Sequence, residues 1–148
     1  MNDIVFLSQR MMMFGIPLLI VALAATYSER SGVINIALEG IMIVGAFSGT
    51  LFIYFMQRNG ALSGYPLLFI ALIIATVAGM LFAAFHAFAS INMSADQTIS
   101  GTALNLFAPA IVIFIARAVV GIQQVAFKNE WRIRAVPLLS DIPIIGRM

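Results

Sequence analysis

Four long apolar runs, at about 8–27, 33–55, 66–89 and 98–121, decide most of what this chain can fold into. A helix needs about 20 apolar residues to cross a bilayer. The first run lies at the short end of that range and borrows Phe6 and Leu7 to reach it. The runs are continuous and lack the period-two alternation of barrel strands, so each predicts a helix. With 62% hydrophobic and only 9% charged residues, the chain belongs to the membrane class. The expected fold is an all-α polytopic membrane bundle of about four transmembrane helices, a single transmembrane domain over 1–148. Residues 122–148 read as an interfacial or external tail, with Trp131 as its aromatic anchor.

The same composition closes several functional classes. The chain has no cysteine, so a disulfide framework, a thiolate metal site and cysteine catalysis are excluded. Its one histidine leaves no metal-ligand spacing, and no Ser/His/Asp arrangement supports catalysis. A net charge of +2, scattered along the chain, offers no surface for nucleic acid. There is no P-loop, so ATP is not bound here through one. The N-terminus does not read as a cleavable leader, because Asp3 precedes any basic residue and no small-residue cleavage site follows the first run.

Polar residues inside the runs carry what chemistry there is. Glu29, Arg30, Ser31 and Gly32 form a charged hinge before the second run, which then holds Asn35 and Glu39. On one continuous helix these two stand a turn apart, on a face shared with Met42, Gly45, Ala46 and Gly49. Such a face should meet protein or a water-filled cavity, because an ionised carboxylate in mid-bilayer costs roughly 2.5–3.5 kcal/mol. Asn105 of the fourth run is a candidate partner for Glu39. Gly45 and Gly49 in the second run, Ala75, Gly79 and Ala83 in the third and Gly101 in the fourth are small residues that let helices approach closely. The fourth run sets Thr98, Gly101, Thr102, Asn105 and Pro109 on one face, and Pro109 frees the backbone carbonyl of Asn105. Asn35, Glu39, Thr102 and Asn105 are therefore candidates for lining or gating a path. An equally weighted reading of Asn35 and Glu39 is that they only hold the bundle together by hydrogen bonds. His86 reads as a satisfied polar residue near a helix end, Asp96 as the cap of the fourth helix.

Three blocks carry a family resemblance: SERSGVINIALEGIMIVGAF from Ser28, ADQTISGTALNLFAPAI from Ala95, and VPLLSDIPIIG from Val136. In this order they resemble permease subunits of ABC importers, in the branch serving nucleosides, simple sugars, ribose and branched-chain amino acids. The wording is most similar to the nucleoside and simple-sugar permeases. The resemblance covers the N-terminal half of such a permease, and the cytoplasmic coupling segment of the second half has no match here. It implies a transport component and not an enzyme, with no cofactor or metal on this chain and ATP on a partner. The implied partners are an ABC ATPase subunit, a second permease subunit, an extracytoplasmic substrate-binding protein and the lipid bilayer.

The resemblance also implies a plasma (inner) membrane location with the N-terminus outside and the Ser90–Gln97 linker inside. The Lys/Arg balance of the loops favours the reverse: Arg10, Arg58, Lys128, Arg132, Arg134 and Arg147 stand against Arg30. Two rival readings are a small packing or assembly protein that moves nothing, and an ion-coupled carrier using Glu39, His86 and Asp96 as a relay.

Overall fold

The computed structural model describes residues 2–128 and 131, with side chains from residue 6 onward. Four helices make up the described chain: α1 (Asn2–Arg30), α2 (Leu38–Arg58), α3 (Gly64–Ile91) and α4 (Gln97–Val120). Among the described residues there is no strand. Each helix is long and apolar enough to span a bilayer. Their outward surfaces are rows of exposed Leu, Ile, Phe and Met, which only a lipid or protein neighbour can cover. The protein is a multi-pass membrane protein.

Helix ends follow from short local signals. α1 continues through Pro17 and begins at Asn2, ahead of the expected first run at about 8–27. It stops where Gly32 takes φ +86°. The Gly32 amide donates to the Glu29 carbonyl and the Val33 amide to the Ser28 carbonyl, closing the left-handed glycine stop that the SERSG segment encodes. α2 ends in the same way at Gly60. Asp96 caps α4: its carboxylate oxygen accepts from the Ile99 amide at 2.9 Å.

Packing is closest between α2 and α3. A Cβ built at Gly45 or at Gly49 would lie 3.0 Å from the backbone oxygen of Ala75 or Ala71 respectively. The two helices therefore meet backbone to backbone over small residues, as helices do where lipid gives no hydrophobic drive to association. Gly79 lies a little further from Ile41, with 3.6 Å between its built Cβ and the Ile41 side chain. Beyond Gly49, Ile53, Leu67 and Ala71 form a buried cluster against which Trp131 packs. The Trp131 indole nitrogen donates to the Gly64 carbonyl, so this tail residue is docked on the bundle. Residues 129, 130 and 132–148 of the expected tail, including the VPLLSDIPIIG block, lie outside the described residues. α1 stands apart, with none of its described residues buried.

Candidate functional site: a clamped break between α1 and α2

The second run is not helical from its start. Residues 31–37 form an irregular strap, and α2 begins only at Leu38. This corrects the expectation that Asn35 and Glu39 share one helical face: Asn35 lies in the strap and Glu39 in the first turn of α2. Met42 and Ala46 are exposed while Gly45 and Gly49 are buried, so those four do not share a face either. The buried stripe of α2 is Gly45, Gly49 and Ile53, and Glu39 points away from it.

A strap inside a helical bundle has backbone groups with no turn to satisfy them, and each one left bare in an apolar setting is costly. Here side chains do the work. Gln97 accepts from the Ile34 amide at 2.7 Å and donates more weakly to the Gly32 carbonyl at 3.5 Å. His86 donates from Nε2 to the Ile34 carbonyl at 3.1 Å. Asn35 turns its own Oδ1 back to accept from the Ala37 amide. Asn105 donates from Nδ2 to the Ile36 carbonyl and accepts at Oδ1 from the Gly40 amide, both at 2.7 Å. Ser28 donates its hydroxyl to the Val33 carbonyl.

The strap lies along one stripe of α4 made by Gln97, Gly101 and Asn105, which a four-residue spacing stacks one above another. Gly101 is the point of closest approach. A Cβ there would stand 3.0 Å from the Ile36 Cβ and 3.1 Å from the Ala37 nitrogen. Gly40 plays the matching part on α2, since its Cβ would meet Asn105 Oδ1 and the Leu104 carbonyl oxygen at 3.0 Å. Asn105 sits about 12 Å along α4 from Gln97 at about 1.5 Å per residue, so the strap reaches well into the bundle. Ala37, at its inner end, is fully buried.

The expected Glu39–Asn105 pair does not form, because both amide atoms of Asn105 are taken by the strap and Gly40. The Glu39 carboxylate has no hydrogen-bond or ion-pair partner among the described residues. Thr98 and Thr102 are exposed, and the Thr102 hydroxyl returns to the Thr98 carbonyl of its own helix. Ala83 lies half-buried on α3, one turn before His86. Gln97, Ser100 and Gly40 were not singled out from the sequence; a glutamine one residue past a helix cap carries no visible mark of its use. Among the described residues no three His, Cys, Asp or Glu side chains gather as a metal site would need.

A model of the family described as "branched-chain amino acid transport system / permease component" matches residues 8–140, a range that includes the strap and the His86, Gln97 and Asn105 side chains that hold it from α3 and α4. The chain belongs to this permease family. It is 40% identical over 139 residues to the guanosine ABC transporter permease protein NupQ of Bacillus subtilis, covering 93% of this chain and 42% of that protein. It is 33% identical over 147 residues to the nucleoside ABC transporter permease protein NupC of Lactococcus lactis, covering 99% of this chain and 45% of that one. A putative glucose ABC transporter permease protein of Haloferax volcanii, TsgC13, is 32% identical over 87% of the chain. The chain thus spans less than half the length of the curated permeases it matches. No solved structure matches it.

Proposed function

We propose that this chain supplies half of the transmembrane path of an ABC importer for nucleosides, the N-terminal half by its signature blocks, with ATP hydrolysed on a separate subunit. The observation that carries this reading is the similarity over nearly the whole chain to permeases named for guanosine and nucleosides. A simple sugar is the second cargo, supported by the similarity to a putative glucose permease. The implied partners are an ATPase subunit, a second permease subunit and an extracytoplasmic binding protein.

The geometry supports a path beside the strap. Irregular backbone between helices is where membrane transporters present polar groups to cargo. Of the four candidate path residues, Asn35 keeps its amide nitrogen free among the described residues, and Glu39 keeps its carboxylate free. Asn105 holds the strap in place, and Thr102 flanks the Gly101 contact on an exposed face. Uncharged and hydrogen-bonding groups of this kind suit a polyhydroxylated solute. The strap end, with Ser94 in its adjoining linker, is assigned to the cytoplasm and the end bearing Gly60 to the outside.

Reconstitution tests the reading. The chain, a matching second permease half, the ATPase and the binding protein are placed in vesicles, and uptake of labelled guanosine is followed with and without ATP. Uptake that requires ATP and all components is the expected result. Uptake driven by a proton gradient without ATP would instead establish an ion-coupled carrier. Sidedness is read separately, from single cysteines at Ser94 and Gly60 in a chain that has no other. Labelling by an impermeant thiol reagent on intact cells is expected at Gly60 and not at Ser94, and the opposite pattern inverts the topology.

A further inference from the structure

We propose that His86 is a positioning residue through which α3 and α4 together fix the conformation of the strap. Gln97 and Asn105 both belong to α4, so on their own they would let the strap ride with α4 alone. His86 adds the third element. It is 2% exposed, it stands on α3, and its two ring nitrogens reach different neighbours: Nε2 the Ile34 carbonyl at 3.1 Å, Nδ1 the Ser100 hydroxyl of α4 at 3.2 Å. A carbonyl only accepts, so Nε2 carries the hydrogen. The Ser100 hydroxyl can then donate to Nδ1, which satisfies a neutral ring at both ends without burying a charge.

Any sliding of α3 against α4 must therefore break the His86–Ser100 bond or the His86–Ile34 bond. The strap meets α4 too closely at Gly101 to absorb the movement by itself. The Ile34 and Ala37 amides are held by side chains and not by a preceding helical turn, so they open without unwinding α2. The junction makes the strap a reporter of the α3–α4 arrangement, whichever solute the protein moves.

Hydrogen exchange on the full chain in lipid nanodiscs tests this, reading the amides of residues 31–41 against those of residues 44–53 in the body of α2. In His86→Gln the side-chain amide lies where Nε2 was and still donates to the Ile34 carbonyl. In His86→Asn the shorter amide reaches only the place of Nδ1. Exchange over 31–41 is expected to rise roughly tenfold in His86→Asn, as loss of one buried bond implies. It should rise less in His86→Gln, which keeps the Ile34 bond and loses only the one to Ser100, with 44–53 unchanged in both. Wild-type exchange over 31–41 in His86→Asn would overturn the proposal. Equal acceleration of both regions in both variants would do the same, since His86 would then be general core packing. If His86→Asn does not fold, Ser100→Ala takes its place: faster exchange confined to 31–41 supports the junction, and wild-type exchange there refutes it.

Discussion

Replacing Asn105 by leucine is the sharpest test of the clamp's energetics. The substitution removes two bonds of 2.7 Å and leaves the Gly40 amide and the Ile36 carbonyl without their partner. Each stranded backbone group costs about 1–3 kcal/mol. The Gly40 amide is enclosed beneath Leu104 and Ala108 and should bear most of its share. The Ile36 carbonyl belongs to an exposed residue that water can reach, so its share is smaller. The sum is a loss of about 2–4 kcal/mol. Asn105→Asp keeps the acceptor for Gly40 but turns an oxygen toward the Ile36 carbonyl, and should fall between leucine and wild type. Thr102→Val, one turn away, removes only a hydroxyl bonded back to its own helix and should stay within about 0.5 kcal/mol of wild type. Reversible unfolding in mixed micelles with increasing sodium dodecyl sulfate ranks the three variants. If Asn105→Leu proves as stable as Thr102→Val, the strap does not depend on Asn105 and the clamp is wrong.

Gly49→Val and Gly101→Val should each lower stability by about 1–3 kcal/mol or more through overpacking against pinned backbone; Gly15→Ala, with nothing within 4 Å of its Cβ, should be neutral or gain up to about 1 kcal/mol. The same detergent titration measures all three. Asp96→Ala should cost about 1 kcal/mol by removing the α4 cap, whereas Asp96→Asn should lose only a few tenths, a difference visible in thermal melts. Glu39→Gln and Glu39→Leu should both reach wild-type membrane levels, since the exposed carboxylate holds nothing together among the described residues, yet both should lower ATP-driven uptake in the full assembly. Normal uptake by Glu39→Gln would remove the charge from the transport cycle.

The four helices were legible because a run of about 20 apolar residues has few other fates, and the Asp96 cap because its signal is local. The break at 31–37 was half legible. Gly32 after Ser28–Ser31 marks a stop, but Val33, Ile34 and Ile36 are as apolar as the α2 residues that follow and carry no sign of irregular backbone. What holds that backbone open is spread over His86, Gln97 and Asn105, 52 to 69 residues downstream of their partners. Asn105 stood out as a polar residue in mid-span, yet its partner was misjudged. A carboxylate at 39 looks like the obvious mate, while the true one is the backbone of Gly40, accessible only because that residue lacks a Cβ. α1 starts earlier than the first apolar run, at Asn2, and continues past Pro17. Pro17 removes one amide from a helix that membrane burial holds together regardless.

The long separation of the clamp from the strap also orders events in time. At a synthesis rate of about 5–20 residues per second, Gln97 emerges roughly 3–13 s after Ile34, its partner 63 residues earlier. Until His86 emerges, 52 residues after Ile34, none of the α3 and α4 side chains that finally bond Ile34, Ile36 and Gly40 is present. Residues 34–40 are therefore made well ahead of the α3 and α4 side chains that satisfy their backbone groups. The bonds from Gln97 and Asn105 can form only once α4 has been made. The irregular segment between α1 and α2 is thus completed by the last of the four described helices, and not by its own neighbours in the chain.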